Sequence, residues 1–106
     1  MKAKRRGARS FKLTGRKAAE AHFFQANRHL ENGALAQAEA SYRKALQIFP
    51  DFAEAHANLG LLLDSAAAEA CFRRSLALAP YAQTCLNLGA LLADQKRFVE
   101  ALAAYT

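Results

Sequence analysis

The chain has 106 residues, 53% of them hydrophobic and 23% charged, which is enough for one compact domain or a short repeat array with a sizeable core. We expect no membrane span and no signal peptide, because no apolar run approaches the roughly 20 residues that cross a bilayer and no apolar stretch follows the basic N-terminus. The two cysteines have neither a metal-binding nor a disulfide-framework spacing, so the expected location is the reducing cytoplasm.

The positive charge is concentrated at the N-terminus. Residues 1–17 contain eight lysines and arginines and no acidic residue, whereas the rest of the chain contains seven basic and nine acidic side chains. With Phe11 and Leu13 as its large hydrophobic side chains, this arm buries too little apolar surface to offset its ordering entropy, so we expect it to be disordered. It can act as a solubilising tail, as a targeting segment, or as a contact for RNA or an acidic membrane. Nucleic-acid binding is not expected outside the arm.

From residue 19 onwards the sequence repeats. A unit of 34 residues, AEAHFFQANRHLENGALAQAEASYRKALQIFPDF, is followed by units that open with AEAHANLGLLL and AQTCLNLGALL. Aligned on these starts, the units match at Ala26, Gly60 and Gly89, at Ala38, Ala68 and Ala101, at Tyr42, Phe72 and Tyr105, and at Pro50 and Pro80. The pattern resembles the tetratricopeptide repeat family, in which each unit is a pair of antiparallel helices. The resemblance implies an all-α fold of helix-turn-helix repeats forming a short right-handed superhelical solenoid.

Physical chemistry supports this interpretation independently. Leu59, Leu62 and Leu63 recur at helical spacing and form one apolar face. The prolines end the second helix of their units, because proline lacks an amide hydrogen and disfavours helix at the preceding residue. We therefore expect an arm over residues 1–17 and a repeat domain over residues 18–106. Its units are residues 19–52, a shortened 53–81 and an incomplete 82–106.

The second unit has 29 residues instead of 34, and most of the loss falls between its two helices. Four of the five missing residues fall there, and four residues are close to one helical turn. The second helix therefore keeps nearly the same face towards its neighbours. One interpretation places a turn at Asp64 and Ser65, which are good N-cap residues. The alternative is one continuous helix from Glu54 to Leu78, because no helix-breaking residue stands between Gly60 and Pro80.

The third unit stops at Thr106, inside its second helix. Repeat arrays usually close with a polar capping helix, whereas this chain ends in FVEALAAY. We therefore expect a fragment or a clipped array whose last apolar face is a candidate for self-association.

No residue constellation indicates catalysis, a metal or a cofactor, so we expect a protein that is not an enzyme. His22, His29 and His56 stand where the family has large core aromatics, and no carboxylate or cysteine stands beside them at ligand spacing. Packing or partial exposure accounts for Cys71 and Cys85. Gly33 follows Asn32 as a helix C-cap residue would.

The family resemblance implies a concave groove lined by the first helix of each unit. The residues expected to contact a ligand there are Phe23, Asn27, Leu30, Asn58, Leu61, Asn87 and Ala90. An asparagine amide offers a donor and an acceptor, so a row of asparagines can bond the backbone of an extended peptide. Such a ladder is similar to the repeat arm of the O-linked N-acetylglucosamine transferases, which AEAHANLG resembles, and Asn58 and Asn87 match two of its positions.

A second use of the family, the carboxylate clamp for chaperone tails, fits less well. The places that need a cation hold Phe23, Gln83 and Asn87, and these neutral side chains compensate a terminal carboxylate poorly. The expected function is thus a non-catalytic adaptor that binds a peptide or a partner helix. The alternative is the N-terminal substrate-recruiting arm of a larger enzyme, such as a glycosyltransferase, with its catalytic part beyond Thr106.

Overall fold

The computed structural model describes the backbone of residues 2–106 and the side chains of residues 15–106. It contains helices α1 (Lys2–Glu31), α2 (Leu35–Ile48), α3 (Ala53–Gly60), α4 (Ser65–Leu78), α5 (Ala82–Asp94) and α6 (Phe98–Tyr105). No strand occurs over residues 2–106, and α1 packs on α2, α3 on α4 and α5 on α6. The predicted all-α arrangement of helix-turn-helix repeats is confirmed. None of the helices in the described part of the chain is long and apolar enough to span a membrane.

The chain divides into two compact units, Met1–Asp51 and Phe52–Thr106. The first unit is built on small residues. Ala26 and Ala38 are fully buried, so α1 and α2 approach closely around the fully buried ring of Tyr42. Backbones that meet through alanine leave no void for water, and a larger side chain would separate the helices.

The basic arm predicted over residues 1–17 falls mostly on residues whose side chains lie outside the described part. Its disorder therefore stays a prediction. Residues 15–17 lie within α1, where the guanidinium carbon of Arg16 stands 4.8 Å from the ring centroid of Phe49. This cation–π contact joins the middle of α1 to the residue that follows α2.

The turns between α1 and α2 and between α5 and α6 share one geometry. Gly33 has a φ of +76°, and the amide of Ala34 donates to the carbonyl of His29 across the end of α1. Lys96 has a φ of +63°, and the amide of Arg97 donates to the carbonyl of Leu92 in the same way. Both turns are Schellman motifs, in which one residue after the helix has a left-handed backbone conformation. The predicted C-cap role of Gly33 is confirmed.

The second repeat keeps its turn. α3 ends at Gly60 and α4 begins at Ser65 with Asp64 at the N-cap position, so the prediction of a turn is confirmed and the continuous helix from Glu54 to Leu78 is wrong. Asp64 makes no side-chain capping hydrogen bond. α3 has 8 residues where the corresponding α5 has 13, so the shortening falls mainly on the first helix, and the expectation that it falls between the two helices is wrong.

The core of the second unit joins α4, α5 and α6. It consists of the buried side chains Ala68, Phe72, Leu88, Leu92 and Ala101. These residues recur four apart along α4 and along α5, so each of the two helices presents one apolar face to the core. This packing fixes α5 against α4 and so orients the first helices of two consecutive repeats.

The third repeat has a short second helix. α6 has 8 residues against 14 in α2 and α4. On the outer face of α6, the exposed fraction is between 64% and 85% for Phe98, Val99 and Leu102. Self-association through this face stays a prediction.

Candidate functional site

A pocket of about 220 Å³ lies between α3 and α5 in the second unit. Its lining residues are Glu54, Ala57, Asn58, Leu61, Tyr81, Gln83, Thr84 and Asn87. We call it the amide pocket, because three of its side chains are carboxamides. Residues of α3 and residues of α5 line the pocket. Leu61 follows the end of α3, and Tyr81 precedes the start of α5.

The carboxamides line one pocket because the repeat places them alike. Asn58 and Asn87 are each the sixth residue of their units, and both are half-buried. Gln83 precedes Asn87 by one helical turn, and its Nε2 donates to Oδ1 of Asn87 over 3.1 Å. This hydrogen bond engages the acceptor of Asn87 and orients its amide NH₂ group as a donor.

One end of the amide pocket carries a carboxylate beside a phenol. Partial burial and the negative charge of Glu54 raise the pKa of Tyr81 above its usual value, as does the hydrogen bond between the two side chains. The Tyr81 phenol and the Glu54 carboxylate thus lie close together at this end of the pocket. The Tyr81 side chain is still 37% exposed, so part of the ring remains available to a ligand.

The arrangement offers polar and apolar groups to a ligand. Its amides offer donors and acceptors, Ala57 and Leu61 add an apolar wall, and Glu54 is the only charged residue in the lining. Within residues 15–106, no group of three or more His, Cys, Asp or Glu side chains could hold a metal ion. His22, His29 and His56 are all half-buried.

The structure brings together three of the four residues predicted to bind a ligand in this unit. Asn58, Leu61 and Asn87 line the amide pocket, whereas Ala90 is exposed and lies outside its lining. Leu61, the residue after α3, is 53% exposed. It therefore offers an apolar surface directly beside the amides.

In the first unit, two of the three predicted residues contact buried Tyr42. The Tyr42 hydroxyl donates to Oδ1 of Asn27, and the Phe23 ring lies 5.9 Å from the Tyr42 ring. Phe23 also packs edge-on against Phe24 at 5.7 Å, and Leu30 is half-buried. Asn27 and Phe23 thus help to hold α1 on α2, and the solvent-facing ring here is Phe24 at 58% exposure.

Glu54, Tyr81 and Gln83 line the pocket but were not among the predicted residues. The sequence contained a signal for two of them, because Glu54 and Gln83 each stand four residues before an asparagine, one turn along the same helix face. Tyr81 precedes α5 and follows Pro80, so no helical periodicity marks it.

A larger and more open pocket of about 500 Å³ lies beside the end of α6. Leu76, Cys85 and Leu88 supply much of its wall, and its charged groups, Arg73 and Glu100, are 3.8 Å apart and pair with each other. A pocket needs polar groups that point at the ligand to fix its orientation. The amide pocket is therefore the stronger candidate.

Comparisons with known proteins agree with this architecture. A family model described as TPR repeat matches residues 26–65. The fold is similar to the crystal structure of MamA, with a TM-score of 0.78 and 18% identity over 83% of this chain and 54% of that one. It is also similar to PilF of Pseudomonas aeruginosa, with a TM-score of 0.75 and 31% identity over 86% of this chain and 43% of that one. The fold is thus one of tetratricopeptide-type repeats.

The chain spans about half the length of these two solved structures. No curated protein matches the sequence significantly. The comparisons therefore establish the repeat fold, and they carry no partner or activity over to this chain.

Proposed function

We propose that this chain is a non-catalytic adaptor that binds an extended peptide of a partner protein along its first helices. The observation that carries the proposal is that Asn58 and Asn87, equivalent residues of consecutive repeats, line the same pocket. Repeats of this type generally serve as protein-interaction scaffolds. We place the adaptor in the cytoplasm and assign it no cofactor.

Carboxamides at equivalent places suit a peptide backbone. An extended chain presents carbonyl and amide groups at regular intervals, and each carboxamide can satisfy one of them. The Asn87 NH₂ group, oriented by Gln83, is positioned to donate to a peptide carbonyl. Such contacts bind many peptide sequences, because they involve no side chain of the peptide.

The test replaces both asparagines by alanine. Each lost hydrogen bond contributes about 0.5 to 1.5 kcal/mol, so the double variant Asn58→Ala, Asn87→Ala should bind roughly 5- to 150-fold more weakly. The probes are fluorescein-labelled peptides selected from a random library for binding to the unaltered protein, and fluorescence anisotropy gives their dissociation constants. The loss should be similar for peptides of different sequence.

A matched control is Asn32→Ala, which removes an exposed carboxamide from the turn after α1. It should leave the affinity unchanged, and circular dichroism should show full helicity for every variant. If the double variant binds normally while Phe23→Ala or Leu61→Ala abolishes binding, the peptide is held by apolar anchors and the backbone ladder is rejected.

A second candidate is the substrate-recruiting arm of a larger enzyme, for instance a glycosyltransferase. The resemblance of the AEAHANLG stretch favours it, because Asn58 belongs to this stretch and lines the amide pocket together with Asn87. Sequencing the native reading frame beyond Thr106 tests it directly. A catalytic domain following in frame would favour the recruiting arm, and a stop codon there would favour the independent adaptor.

A further inference from the structure

The charge of the amide pocket has one sign. Of its eight lining residues, Glu54 is the one acidic residue, and none is a lysine or an arginine. Resting on the proposed function, we propose that the pocket selects peptides that place a cationic side chain, lysine or arginine, against Glu54 and Tyr81. The carboxamides of the pocket then form hydrogen bonds with the peptide backbone on either side of that side chain.

The two ends of a lysine or arginine side chain match the two parts of the pocket. Ala57 and exposed Leu61 provide apolar surface for the aliphatic stem. The Glu54 carboxylate provides a counter-charge for the head group, and the partly exposed Tyr81 ring provides a face for a cation–π contact. A carboxylate next to an aromatic ring is a favourable environment for a guanidinium group in particular.

The hydrogen bond between Tyr81 and Glu54 prepares this end of the pocket for a cation. A carboxylate has about four acceptor positions on its two oxygens, so the phenol occupies one of them and leaves others for a ligand.

Anionic and neutral side chains are disfavoured by the same groups. A peptide carboxylate would face Glu54 with no cation in the lining to compensate it, so like charges would repel. A neutral side chain of the same length would gain the apolar contact without the ion pair. The expected order of affinity is therefore cationic, then neutral, then acidic.

The experiment titrates four peptides into the ¹⁵N-labelled full chain and follows them by NMR. The peptides are acetyl-Gly-Ser-X-Ser-Gly amides in which X is Arg, Lys, Gln or Glu. The Arg and Lys peptides should shift the side-chain amide signals of Asn58 and Asn87 and bind about two- to five-fold more tightly than the Gln peptide, the range for an exposed ion pair. The Glu peptide should bind more weakly than the Gln peptide.

The decisive variant is Glu54→Gln, which keeps the size and polarity of the side chain and removes its charge. It should abolish the preference for Arg and Lys, so that the Arg, Lys and Gln peptides bind the variant with equal affinity. The matched control is Glu39→Gln on α2, which changes the net charge equally at a glutamate outside the pocket. This control should keep the preference.

The outcomes separate this proposal from the proposed function. If all four peptides shift Asn58 and Asn87 with equal affinity, or if Glu54→Gln keeps the preference, the cation selectivity is wrong and the backbone ladder stands. A tighter complex with the Glu peptide would also overturn the selectivity. If none of the peptides shifts these amides, both the selectivity and the proposed peptide site are wrong.

Discussion

At the scale of single residues, Gly60 and Gly89 hold the helix pairs of the second unit at a close distance. A Cβ atom added at Gly60 would lie 2.7 Å from Cε1 of Phe72, and one added at Gly89 would overlap the Tyr105 ring. The two glycines occupy the same place in their repeats, but the rings opposite them differ in freedom. Phe72 is 3% exposed and enclosed by the core, whereas Tyr105 is 47% exposed at the end of α6.

We predict that Gly60→Ala destabilises the protein more than Gly89→Ala. The buried Phe72 ring has no space to move into, so overpacking should cost about 1 to 3 kcal/mol. The Tyr105 ring can turn towards solvent, and the higher helix propensity of alanine inside α5 offsets roughly 1 kcal/mol of any strain. Urea denaturation gives both free energies of unfolding. Equal losses would contradict the argument, and Gly60→Leu should be more damaging than either variant.

Lys96 occupies a backbone conformation that suits glycine. Its φ of +63° crowds the Cβ atom against the backbone, at a cost of roughly 1 to 2 kcal/mol, whereas Gly33 meets the same requirement in the first repeat without a side chain. Lys96→Gly should therefore raise the free energy of unfolding by up to about 1 kcal/mol, because the greater freedom of glycine in the unfolded chain cancels part of the gain. Gly33→Ala should lower it, and thermal denaturation would show both. A destabilising Lys96→Gly would mean that the lysine side chain contributes more than its strain costs.

At the scale of helices, a cluster of charged side chains joins the second repeat to the third. Arg97 donates to Glu69 of α4 over 2.6 Å and, through Nε, to Glu100 of α6 over 2.9 Å. Arg73 donates to Glu69 over 2.9 Å. Hydrogen bonds from Arg97, and then from Arg73, lower the pKa of the Glu69 carboxyl, and those from Arg97 lower the pKa of Glu100. The cluster ties the turn before α6 to α4.

This cluster makes stability dependent on pH in the acid range. A carboxyl whose pKa is lowered by folding contributes stability above its usual value of 4.5, and the contribution is lost as pH falls through the lowered value. We predict that the melting temperature falls as the pH drops below about 4.5, and that Arg97→Gln lowers it at pH 7 and weakens this pH dependence. Arg43→Gln, which breaks an exposed pair within α2, should leave the pH dependence in place. An unchanged pH profile in Arg97→Gln would show that other carboxyl groups dominate.

At the scale of the whole molecule, net charge and local charge point to different partners. The chain carries a net charge of +6, which by itself favours acidic partners, but eight of its fifteen basic residues lie within residues 1–17. The amide pocket has no basic residue in its lining. Because exposed charges are screened over about 8 Å at physiological salt, a ligand in the pocket responds mainly to Glu54. The partner proposed here is therefore cationic where it enters the pocket, despite the basic character of the chain.

Much of the fold was predictable from sequence because it depends on local signals. The helix-turn-helix repeats followed from the recurrence of small and aromatic residues, and Pro50 and Pro80 marked where second helices end. The C-cap role of Gly33 followed from its type, since glycine adopts positive φ without strain. Asn58 and Asn87 were identified because equivalent places in a repeat face the same way.

The sequence by itself thus determined the repeat period, the helix pairs and the face that carries the asparagines, since each follows from spacing along one helix. Only the tertiary structure decided what depends on a neighbouring helix. Packing against α4 fixed the turn after the shortened α3, where local helix propensity favoured continuation. Packing also brought Glu54 of α3 to Tyr81 and engaged Asn27 with Tyr42. These contacts join residues far apart in the chain, so no periodicity encodes them, and they determine which polar groups remain for a ligand.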